Sequence, residues 1–91
     1  MTLEKLVSKY INSAEYALNT IKTNLTGVSF DRNNIEKIIE SAKAYLNDAK
    51  YYRSERKLDV SLTSVAYCEG LLDALKLLGA VTFEWQTKKR E

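Results

Sequence analysis

An all-α fold, an antiparallel up-down-up bundle of three helices, is predicted by three observations. Apolar residues recur at helical spacing in three separate stretches. Turn residues divide the stretches from one another. Proline is absent, so nothing in the chain interrupts a long helix.

The first stripe runs Leu3, Leu6, Val7, Tyr10, Ala14, Ala17, Leu18, Ile21, Leu25 and predicts a helix over 3–26. Thr2 is suited to cap its start, and Gly27 offers a left-handed stop. Val28 to Arg32 form the first connection. Asn33 followed by Glu36 fits a capping box for a second helix over 34–56. Its stripe is Ile35, Ile38, Ile39, Ala42, Tyr45, Leu46, Ala49, Tyr52, and it fades into the charged run Arg53 to Lys57. Basic residues there suit the negative end of the helix dipole. Asp59 is a good cap for a third helix over 60–78, and Gly79 is its expected stop. Apolar residues cover well over half of that helix, from Leu62 and Val65 through Cys68, Leu71, Leu72 and Leu75 to Leu78. Such a helix must touch more than one neighbour, so it is the expected central element. The tail over 80–91 reads two ways. Val81, Phe83 and Trp85 alternate as an extended segment would, and the same residues fit a helix continued after a kink.

Composition bounds the function. Ninety-one residues make one domain with a single core, in no need of metal or disulfide support. Hydrophobic residues are 45% and charged residues 29%, a globular balance rather than a disordered one. The formal charge of +2 is too weak to imply a nucleic acid or an anionic membrane by itself. One cysteine cannot form an intrachain disulfide, and a free thiol suits a reducing compartment. No apolar run is long enough to span a bilayer, and the N-terminus has no signal-peptide core. The expected setting is the cytoplasm. Histidine is absent, which removes the commonest general base and a common metal ligand. One hairpin-like AxxYxxxAxxY pattern does not make a solenoid, which needs stacked repeats.

The segment YLNDAKYY, then Asp59, then SVAYCEGLLDALKLLG, resembles the archaeal domain of unknown function 357. The pattern places are held by Tyr45, Asp48, Ala49, Tyr52, Asp59, Tyr67, Gly70, Leu72, Asp73, Ala74, Leu78 and Gly79. The likeness covers Tyr45 to Gly79 and is loose over the first helix. Cys68 and Ser61 stand where the family has alanine, both small for small. The resemblance implies a three-helix bundle, with no established activity and no cofactor. Some members look fused to cytidylyltransferase-like domains, so any nucleotide chemistry is expected to belong to a separate partner.

Each residue that stands out has a structural role to set against a functional one. Gly70 inside a helix costs about 1 kcal/mol relative to alanine, and close approach of another helix is the expected reason for it. Glu69 and Asp73 lie four apart and form a polar edge. Two carboxylates with no histidine make a poor metal site, so ion pairs with the second helix are expected. A turn centred near Lys57 and Leu58 sets Lys43 opposite Asp73. Lys50, Arg53, Arg56 and Lys57, beside Tyr51 and Tyr52, are a candidate patch for phosphate and bases. Glu55 and Asp59 dilute it, so a solvated helix end is the simpler reading. Cys68 sits on an apolar arc, as a small core residue would, and Tyr45, Tyr52 and Tyr67 fall on buried arcs. Phe83 and Trp85 are expected to fold back over the helices.

The function these features favour is a helical interaction or accessory module with a protein partner or a second copy of itself. Nucleic-acid or nucleotide binding through the basic turn and tail is the alternative. Catalysis is the least favoured, with no catalytic residues, metal or cofactor assigned.

Overall fold

The structure, a computed structural model, describes residues 2–23 and 30–85. Gly27 and the polar end TKKRE therefore lie outside the described residues. Within them the chain is all-α, with three helices and no strand: α1 Leu3–Thr20, α2 Arg32–Ser54 and α3 Leu58–Leu77.

Thr2 caps α1 as expected, its Oγ1 accepting from the Lys5 amide at 3.1 Å. The helix stops at Thr20, six residues short of the predicted end, and Ile21 is extended. The Thr20 hydroxyl donates back to the Tyr16 carbonyl at 2.9 Å. Asn, Thr and Ile are weak helix formers, and among the described residues α1 has no packed neighbour to override them.

For α2 the cap is Asp31 rather than Asn33. Its carboxylate accepts from the Asn34 amide at 2.9 Å and from the Asn34 side chain at 3.3 Å. The carboxylate brings a full negative charge to the positive end of the helix, which asparagine cannot. Phe30 and Ile35 occupy the two positions of a hydrophobic staple around that cap and line one groove with Ile39, Ala80 and Val81.

The turn from α2 to α3 is a Schellman motif. The Lys57 amide donates to the Tyr52 carbonyl at 2.9 Å and the Arg56 amide to Arg53 at 3.1 Å. Arg56 takes the left-handed conformation, φ 63°, that this motif requires. The turn delivers the chain directly into α3, which begins at Leu58 without a side-chain cap. Asp59 is thus in the first turn, not at the cap, where it still favours the helix dipole. Gly79 ends α3 as predicted. It has φ 77°, and a second Schellman pair joins Ala80 to Leu75 and Gly79 to Lys76, each at 2.9 Å.

The packed part of the molecule is the antiparallel hairpin of α2 and α3. Ala42 and Ala49 of α2 meet Cys68 and Leu75 of α3 in its core, with Leu75 only 1% exposed. Two contacts set the register. Ser61 donates to the Ala49 carbonyl at 2.7 Å, and Tyr45 stacks on Tyr67 with centroids 4.3 Å apart. They centre the hairpin on residues 55 and 56, about two residues before the expected centre. Among the described residues α1 touches neither α2 nor α3.

Candidate functional site

The register shift separates the pair predicted across the hairpin. Lys43 bonds Glu40 of its own helix at 3.3 Å, and Asp73 accepts from the Trp85 indole at 3.0 Å. The expected Lys43–Asp73 ion pair is therefore corrected: both residues have other partners. Glu69 and Asp73 are exposed, and no group of metal-ligating side chains gathers among the described residues.

Gly70 is also corrected. It is exposed, and nothing lies within 4 Å of where a Cβ would sit. Gly70 lies on the side of α3 opposite the arc that α2 covers, so the predicted helix contact does not occur there among the described residues.

Lys50, Arg53, Arg56 and Lys57 are all exposed at the closed end of the hairpin. None forms an ion pair among the described residues. Tyr51 is exposed beside them, its ring edge-on to Tyr52 at 5.2 Å. The structure thus gathers the four basic groups and one aromatic ring at the same end of the molecule.

Cys68 is buried, and burial pushes its thiol above the ordinary value of 9.0, with the neighbouring Glu69 carboxylate adding to the effect. A protonated, covered thiol is a core side chain and a poor nucleophile. Tyr67 is 55% exposed rather than buried, and its contribution to the core is the stack that covers Tyr45.

The segment after Gly79 folds back, as expected, in an irregular conformation. Phe83 and Trp85 meet edge to face at 4.8 Å, Lys76 sits over the Phe83 ring at 4.8 Å, and Trp85 is tied to Asp73. Lys76, Phe83, Trp85 and Asp73 form one small cluster on the outside of α3. The cation–π contact in it had no distinct signal in the sequence.

The largest unassigned feature is α1. No residue of it is buried, although its stripe is the most clearly amphipathic in the chain. Leu3 is 75% exposed and Ile21, just beyond its end, 71%. On α3, Leu62 is 68% and Leu77 88% exposed. Among the described residues, the most prominent feature is therefore apolar helical surface that no other helix covers. No helix among the described residues is long and apolar enough to cross a membrane.

Fold and surface define a small all-α protein that presents helical faces. Over residues 9–81 the chain matches the family described as "Protein of unknown function (DUF357)", and it belongs to that family. The match begins inside α1, so it is wider than the Tyr45–Gly79 segment that carries the resemblance. No curated protein and no solved structure matches the chain.

Proposed function

We propose that this protein is a helical interaction or accessory module of the cytoplasm that binds a protein partner through apolar helical faces and performs no chemistry of its own. The observation that carries the reading is the bare stripe of α1, joined by the exposed Leu62 and Leu77 of α3. Exposed apolar surface of this extent marks an interface in soluble proteins. The buried, protonated Cys68 supplies no nucleophile to set against that reading. The test is binding of purified chain to a captured partner across a salt series, with Val7→Glu/Leu18→Glu alongside. Apolar docking predicts that the double variant abolishes binding while salt changes it little. Binding that survives the double variant would remove the proposal.

A second reading rests on the four basic side chains, without an ion pair among the described residues, gathered beside exposed Tyr51. They suit a single-stranded nucleic acid, with phosphates on the cations and a base on the ring. That binding would weaken steeply with added salt and fall further on Arg53→Ala/Lys57→Ala.

A further inference from the structure

We propose that the cleft at the closed end of the α2–α3 hairpin docks an acidic peptide segment of another protein, with one aliphatic side chain in the cleft and carboxylates on the basic groups around it. This surface is separate from the α1 stripe, and the inference stands without that reading.

The cleft lies between the two helices. Leu46, Ala49 and Val65 form an apolar floor, and Lys50, Arg53 and Ser61 form the rim. Its volume is about 170 Å³, below the roughly 300–1,000 Å³ of small-molecule sites. One leucine-sized side chain is what such a space accepts. The Ser61 hydroxyl, bonded to the Ala49 carbonyl at 2.7 Å, ties the two walls together. The site is therefore formed before anything enters it, which lowers the entropic cost of binding.

Charge selects the occupant. Lys50 and Arg53 stand on the rim, and Arg56 and Lys57 follow in the turn. All four are exposed, and none is in an ion pair among the described residues. Helix dipoles do not account for them. α2 ends at Ser54 and α3 begins at Leu58, so a negative and a positive helix end adjoin here and largely cancel. Neighbouring acids do not account for them either. Glu55 and Asp59 do not line the cleft, and Asp59 already accepts from the Val60 amide at 2.9 Å. Glu69, the next acid along α3, stands about one turn past Val65. It repels carboxylates on that side and so directs an acidic segment toward Lys50 and Arg53.

A peptide fits these features better than a nucleic acid does. Sequence-tolerant binding of single strands sets an aromatic platform beside the cations. The exposed ring at this end, Tyr51, lies about 200° around α2 from Arg53. A base stacked on it would leave the apolar floor empty. An apolar floor rimmed by cations is complementary to an aliphatic anchor set among carboxylates.

The test titrates the full chain into a fluorescein-labelled peptide of glutamates and aspartates around a single leucine. Binding is expected, and it should fall as salt is raised. Alanine in place of the peptide's leucine should weaken it at least about tenfold, the scale of one buried aliphatic side chain. Lys50→Ala/Arg53→Ala should weaken it as well and flatten its salt dependence. Methyl spectra of the wild type give a readout free of folding defects. The leucine peptide should shift the Leu46 and Val65 methyls and leave those of Val7 and Leu18 unmoved. Shifts confined to α1, or an affinity indifferent to the leucine, overturn the proposal. So does absence of binding at millimolar peptide. Tighter binding of a uridine oligonucleotide, with Tyr51 as the ring that responds, assigns the basic end to nucleic acid instead. NOEs between α1 and the Leu46 or Val65 methyls in the free chain would make α1 the occupant of the cleft and overturn the proposal too.

Discussion

Arg56 holds φ 63°, where an L side chain costs about 1–2 kcal/mol and glycine almost nothing. Arg56→Gly should therefore stabilise the hairpin by about 1 kcal/mol, seen as a higher urea midpoint at unchanged slope. A lower midpoint would show that the guanidinium makes up for its own strain. Ser61 reads in sequence as a harmless exchange for alanine. In the fold its hydroxyl satisfies a carbonyl in mid-α2, so Ser61→Ala should cost about 0.5–1.5 kcal/mol. Gly70 faces open space, which reverses the sign expected of a glycine wedged between helices. Gly70→Ala should gain up to about 1 kcal/mol of helix propensity, and an early melting transition would contradict the open face. At Cys68 the folded thiol titrates above its ordinary value of 9.0, so the folded state holds its proton longer than the unfolded chain does. That stabilisation is complete below pH 9.0 and is lost as pH rises through the folded value. Cys68→Ala should flatten the alkaline fall in stability. An identical slope in both proteins would show that the thiol plays no part in it.

The three helices differ in what decides their ends. Both ends of α2 and the C-terminal end of α3 are set by hydrogen-bonded caps, and these hold to within about two residues of the boundaries read from composition. The stripe overreaches α1, because Ile21 continues it while Asn19, Thr20 and Ile21 itself resist the helix and, among the described residues, no other helix packs against it. Periodicity reports which face a helix would bury, not whether anything arrives to bury it. The tail shows the opposite case. Its alternating aromatics left two conformations open, and the choice was made by Asp73 and Lys76 on the neighbouring helix. Asp73→Ala should release the indole, shifting Trp85 emission to the red with little change in helicity. Emission that stays put would show that Phe83 alone holds the ring.

For the molecule as a whole, the class and number of helices, the Gly79 stop, the Thr2 cap and the folded-back tail were readable from residue pattern. The register was not. It turned on Arg56 adopting a backbone conformation that sequence rules assign to glycine, and that moved the centre of the hairpin and separated Lys43 from Asp73. The basic turn was recognisable because Lys50, Arg53, Arg56 and Lys57 are near neighbours in sequence. The bare faces of α1 and α3 were not, since exposure depends on tertiary neighbours. The Ser61 bond has one further consequence, for motion. Packed helices can slide past one another by a turn, about 5.4 Å, and some proteins use that ratchet to switch. Here a slip by one turn would bring Val65 or Lys57 toward the Ala49 carbonyl in place of Ser61. Valine offers no side-chain donor, and a lysine ammonium would have to leave water to reach a helix interior. The hydroxyl thus acts as a catch against shear of α3 along α2.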